Sequence, residues 1–164
     1  MAVTYEPLAT TTLGSSTNSI VVMSSIPSTY TDLILVIDGE GAGGTSDIVF
    51  RYNGETAATN YSQKYIRADG SSYFSGAYSE SYLNFASTWS SGRRYSHIMQ
   101  IMNYSNTSTF KTTLSRTSYA GGDVAMAVTL WRATPAAINQ ITIKTTPNNM
   151  AAGTTFTLFG VKAA

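Results

Sequence analysis

The chain has 164 residues and a formal net charge of +1, and only 12% of its residues are charged, about half the usual share in a soluble protein. That balance supplies no field for binding nucleic acid or an anionic membrane, and no apolar run approaches the roughly 20 residues of a membrane-spanning helix. Cysteine is absent, which excludes disulfides and thiolate chemistry and leaves packing alone to hold one domain of this length.

Charge is unevenly spread. Residues 1–82 carry three Lys/Arg against eight Asp/Glu, a net of −5, whereas residues 83–164 carry seven against one, a net of +6. Interleaved strands would neutralise the two halves within one subunit; otherwise acidic and basic loops of neighbouring copies meet. The 11 Tyr and 6 Phe, with many Val, Ile and Thr, are the types that fit a pleated, half-buried surface.

Residues 1–18 read as a polar arm or short edge strand with a few apolar anchors, Tyr5-Glu-Pro-Leu8 among them, and residues 19–164 as a single domain. Ser19-Ile-Val-Val-Met23 is a short apolar run. Asp32-Leu-Ile-Leu-Val-Ile37 is continuous enough to be a strand covered on both faces. Gly39, Gly41 and Gly44 satisfy the spacing G-x-G-x-x-G, but a dinucleotide site needs a helix next. Ser46-Asp-Ile-Val-Phe-Arg-Tyr52 has strand composition instead and ends in the turn Asn53-Gly54.

From Tyr61 to Trp89 the chain is rich in Ser, Gly, Tyr and Asn. A strand is predicted near 61–67, followed by a long loop with a short strand near 81–85. Tyr78, Tyr82, Phe85 and Trp89 have helical spacing, but the Ser, Asn and Thr between them are poor helix-interior residues. Rigid aromatics among small polar residues, followed by Arg93-Arg94, resemble a binding surface, and aromatic faces stack on sugar rings. Part of the group, with Tyr65, Phe85 and Trp89 the candidates, fills a core instead.

The remainder is regular. Ser96–Met102 and Thr109–Tyr119 form a hairpin, Val124–Trp131 is apolar on both faces, and Ile141 and Ile143 alternate with polar residues. In Thr155–Val161, Phe156, Leu158 and Gly160 share one face, and Phe159 and Val161 the other. Gly160 implies close approach by a ring or backbone, and Phe159 faces either a covering layer of its own subunit or a neighbouring copy. Eight to nine short strands without a helix predict an all-β, antiparallel, jelly-roll-like β-sandwich.

Nothing in the sequence is arranged for catalysis. The single histidine, His97, sits in a strand with no nucleophile elbow and no second histidine for zinc. Calcium ligands could come from loops such as Asp69-Gly-Ser71, but no such loop has EF-hand spacing. No catalytic, cofactor or metal residue is predicted.

Phe110-Lys-Thr-Thr-Leu-Ser-Arg116, Leu130-Trp-Arg-Ala-Thr-Pro-Ala-Ala-Ile138 and Met150-Ala-Ala-Gly-Thr-Thr-Phe-Thr-Leu-Phe-Gly-Val161 resemble a family of small virion structural proteins of tailed bacteriophages. Tyr5-Glu-Pro-Leu-Ala, Ile26-Pro-Ser-Thr-Tyr-Thr-Asp-Leu33 and Ile101-Met-Asn-Tyr-Ser-Asn106 are similar to it too; the 61–94 segment carries no shared motif. The resemblance implies a non-enzymatic protein without cofactors, made in the host cytoplasm and placed on the virion. A free-standing sandwich with no fibrous shaft suits a capsid decoration, or cement, protein: a homotrimer bound to the major capsid protein at the capsid surface. The alternative is a tail- or fibre-associated module that adheres to a host surface glycan. The expected contact surface is Tyr73, Phe74, Tyr78, Tyr82, Trp89, Arg93, Arg94, Phe159 and Val161.

Overall fold

The structure, a computed structural model, describes residues 4–18, 21–119 and 121–162, with the side chains of 85 and 86 outside that description. The first two residues of the predicted run 19–23 therefore lie outside it, as does the predicted packing of the Phe85 ring. Among the described residues there are thirteen strands and no helix. Their bounds are β1 (Tyr5–Thr12), β2 (Val21–Met23), β3 (Asp32–Ala42), β4 (Ser46–Tyr52), β5 (Tyr61–Ala68), β6 (Tyr73–Glu80) and β7 (Leu83–Trp89). They continue with β8 (Arg94–Ile101), β9 (Lys111–Tyr119), β10 (Val124–Trp131), β11 (Ile141–Thr146), β12 (Asn149–Met150) and β13 (Thr155–Val161).

Two antiparallel sheets face each other. The large sheet runs β1-β13-β3-β8-β9-β10-β5-β6, with β12 joined to β3, and the small sheet runs β2-β11-β4-β7. Leaving out β5, β6, β9, β10 and β12 exposes the plan. The remaining eight strands form four-strand sheets β1-β13-β3-β8 and β2-β11-β4-β7, between which the chain crosses repeatedly, as in a jelly roll. Two hairpins are inserted into that frame. β5–β6 comes between β4 and β7, β9–β10 between β8 and β11, and both extend the large sheet beyond β8.

The core follows from alternation along each strand. Leu33, Leu35 and Ile37 of β3, with Phe156 and Leu158 of β13, face Phe50 and Tyr52 of β4 and Ile141 and Ile143 of β11, all buried. The inserted hairpins are fastened by aromatics. Tyr52 meets the Trp131 ring edge-on at 5.7 Å, its amide donates to the Tyr61 hydroxyl at 2.9 Å, and its own hydroxyl shares a 2.6 Å hydrogen bond with Thr113.

The strand count exceeds the expected eight to nine, for identifiable reasons. β1 is part of the sheet, paired with β13 along its length, so the N-terminal segment is an edge strand. β6, expected as loop, is exposed on both faces for most of its length and so lacks the apolar alternation that marks a half-buried strand. β7 follows it directly, and the helical spacing of Tyr78, Tyr82, Phe85 and Trp89 falls across two strands. The glycine-rich 39–44 stretch ends β3 and leads into strand β4, not a helix, which removes the dinucleotide reading.

Gly160 is covered by the Tyr30 ring: a Cβ added there would lie 2.4 Å from a ring carbon. Tyr30 donates its hydroxyl to Glu6 at 2.5 Å, and Glu6 pairs with Lys162 at 2.9 Å. This cluster ties β1 to β13.

Candidate functional site

The inserted hairpins reach further than the small sheet does. β7 is the last strand of that sheet and lies across β5, β9 and β10, so the inner face of β5–β6 overhangs it. The overhang is an open cleft of about 320 Å³, at the lower end of the range for small-ligand sites. Its wall is aromatic. The Tyr65 and Tyr78 rings stack at 5.2 Å and 12°, and the Tyr78 hydroxyl donates to that of Tyr65 at 3.1 Å.

Gly76 makes that stack possible. It stands opposite Tyr65 in register, and a Cβ there would lie 2.5 Å from the Tyr65 ring, so only glycine lets the ring lie flat across β6. Glu80 continues the same face of β6, and Tyr82 and Asp47 complete the lining. Asn84, also in the lining, accepts at Oδ1 from the side-chain amide of buried Gln63 at 3.0 Å. The Arg67 guanidinium lies 4.8 Å over the Phe74 ring and borders the same space.

Two carboxylates, Asp47 and Glu80, face one guanidinium, Arg67, across the cleft, so its electrostatics are those of an acidic site. Burial raises the pKa of Asp47. The hydrogen bond to Tyr65, burial and nearby charge, Asp47 included, push Tyr78 up to about 12. Tyr82 is raised by burial first, then by the charges of Glu80 and Asp47. Two buried polar atoms facing this region, Ser87 Oγ and Arg67 Nε, have no hydrogen-bond partner.

A second surface lies on the opposite face of the same hairpins. Val128 sits in register between Leu114 and Lys64, and Met126 between Arg116 and Ile66. Ile66, Val124, Met126 and Val128 are each 46–61% exposed, and Tyr73 is 89% exposed. Residues of β8, β9, β10, β5 and β6 line one open apolar concavity of about 760 Å³ on this face. Val124–Trp131 is thus apolar on both faces, as the sequence indicates, but only one face is covered, by β7 and, at Trp131, by Tyr52 of β4.

The predicted contact residues separate into groups. Tyr78 and Tyr82 line the cleft, Phe74 borders both cleft and concavity, and Tyr73 lines the concavity. Phe159 and Val161 are half-buried on the outer face of the large sheet, where Phe159 pairs in register with Pro7 and Ile34. Arg93 and Arg94 are exposed at the start of β8, with Arg94 ion-paired to Asp38 at 2.6 Å and Arg93 5.2 Å over the Tyr119 ring.

Trp89 is not a contact residue. It is fully buried and stacks on Tyr95 at 5.8 Å, because the alternation of β7 turns it inward with Leu83 and Ser87. Tyr65, a core candidate in the sequence, is half-buried at the cleft instead. Sequence reasoning missed Arg67 and Glu80 and offered Asp47 only as a candidate calcium ligand, although the period of two through Tyr61, Gln63, Tyr65 and Arg67 marks one face of β5.

His97 is fully buried. Its Nε2 accepts from the Trp89 indole N–H and lies 3.3 Å from Thr117 Oγ1, and burial depresses its pKa to about 3. In the Asp69-Gly-Ser71 loop, Asp69 Oδ1 accepts from the Ser71 and Ser72 amides at 3.1 and 2.8 Å, the arrangement of a turn. Among the described residues no group of three or more His, Asp or Glu is placed to hold a metal ion. No protein-family model matches the chain, and no curated protein matches it.

Proposed function

We propose that this chain is a structural protein of a tailed-bacteriophage virion, a capsid decoration protein that binds the outer shell as a homotrimer and stabilises it. The observation that carries the reading is the uncovered apolar outer face at Leu114, Val128, Met126, Ile66 and Val124. Contiguous exposed apolar surface of this kind marks an interaction site.

Charge supports a second copy as its occupant. Arg116 and Lys64 stand on this face outside the two ion pairs among the described residues, Arg94–Asp38 and Lys162–Glu6. Asp32 and Glu40 stand on the same outer face of β3, likewise outside those two pairs. The acidic flank of one copy against the basic flank of the next makes a head-to-tail contact, which closes into a ring where the rotation between copies is a whole fraction of a turn. A ring that presents each weak capsid contact several times binds with avidity, and the major capsid protein is the partner this reading names.

The test is to add purified protein to expanded, undecorated capsids of the same phage. Saturable binding and a gain in the heat resistance of the shell are expected; neither effect would sink the proposal. The second reading, a tail- or fibre-associated adhesion module, is favoured by the aromatic cleft. Gold-labelled antibody on intact virions separates the two, since label confined to tails supports adhesion and overturns decoration.

A further inference from the structure

We propose that the cleft under the β5–β6 overhang binds a neutral saccharide, with Tyr78 and Tyr82 as its ring contacts and Asp47 and Glu80 as acceptors for sugar hydroxyls. This supplies a ligand for the adhesion reading and holds equally if the protein sits on the capsid.

The chemistry points to a sugar for three reasons. A pyranose presents C–H groups on its faces and hydroxyls around its rim, and so needs aromatic faces together with planar polar groups. Tyr78 is 40% exposed and held in place by its stack on Tyr65. Its phenol is committed to Tyr65, so the ring is fixed before any ligand arrives and little entropy is lost on binding. The polar complement is also present in unused form. Asp47 and Glu80 take part in neither of the two ion pairs among the described residues.

Charge selects among sugars. The cleft holds two carboxylates against one guanidinium, and Asp47 is already raised by desolvation. A sialic acid, uronic acid or sulfated sugar would add a like charge beside Asp47 and Glu80. Neutral hexoses and N-acetylhexosamines carry no such cost.

The experiment titrates the full-length protein with panels of neutral, sialylated, uronic-acid and sulfated oligosaccharides, followed by ligand-observed NMR up to about 10 mM, where affinities of about 1 mM are readily seen. At least one neutral glycan should bind saturably. Tyr78→Ala and Asp47→Asn should each weaken it at least about tenfold, with the cooperative fold retained, because Tyr78 lies outside the buried core and Asp47 is replaced isosterically. Three results would overturn the proposal: no neutral glycan binding, binding confined to acidic glycans, or neutral binding that survives both substitutions. Virion labelling can fail independently, since it reports where the protein sits and not what the cleft holds.

Discussion

The indole N–H of Trp89 donates to Nε2 of His97 inside the core. Because Nε2 accepts, the neutral ring carries its proton on Nδ1. The Trp89, Tyr95 and His97 rings pack at 5.2–5.9 Å, and the Tyr119 ring covers Tyr95 at 4.8 Å, so the lone histidine of the chain is part of an aromatic block joining β7, β8 and β9.

That burial predicts a pH dependence. The folded pKa is depressed to about 3, against about 6.5 in an unfolded chain, so between these values the unfolded state holds the extra proton. Stability from this group is fully present above pH 6.5 and is lost as pH falls, by about 1.4 kcal/mol per unit. Urea unfolding from pH 7.5 to 4.5 should show this slope in the wild type, and the difference from His97→Gln should isolate it. Equal slopes in both proteins would refute the assignment.

Gly160→Ala should destabilise the fold by about 1–3 kcal/mol through overpacking against Tyr30. Thermal melts of Gly160→Ala, Tyr30→Ala and the double variant check this. With Tyr30 truncated, the added methyl has room, and the cost of Gly160→Ala should largely vanish; additive losses would mean that the methyl clashes elsewhere.

Substituting the outer face should affect assembly and leave folding intact. Met126→Lys and Ile66→Glu place a charge where side chains are already 46% and 61% exposed, so the melting temperature of the isolated subunit should move little. Sedimentation velocity should show the wild type as a trimer and each variant shifted toward monomer. A monomeric wild type would remove the ring contact.

Lys111 is a buried cation on the inner face of β9, its ammonium donating to the Thr109 carbonyl at 2.5 Å, and desolvation lowers its pKa. Lys111 belongs to neither ion pair among the described residues, so its burial carries the desolvation cost of a charge without a counter-ion, which methionine of similar length avoids. Lys111→Met should therefore melt no lower than the wild type. Its advantage should shrink as pH rises toward 10.5, where the wild-type ammonium is relieved of its proton.

Much of the frame was legible in the chain because its strands are half-buried. Leu33, Leu35 and Ile37, Ile141 and Ile143, and Phe156 and Leu158 announce their faces by a period of two, and Gly160 announces the ring that covers it. The two cross-half ion pairs, Arg94–Asp38 and Lys162–Glu6, likewise realise the neutralisation within one subunit that the opposite charges of the halves allow. Contacts between copies remain open to the other charged residues.

The two surfaces were not legible in that way. β6 is solvated on both faces, so its residues carry no burial signal, and a strand without one looks like loop. Whether Val124, Met126 and Val128 are core or surface depends on which strands lie above them, and that follows from where the inserted hairpins join the large sheet. The sequence alone determined an antiparallel sandwich with a buried aromatic and aliphatic core, since alternation is a local property. Tertiary structure decided that Trp89 lies inside, that Tyr65 and Tyr78 stack over Gly76, and that an apolar face stays open, since each depends on pairing between segments far apart in the chain.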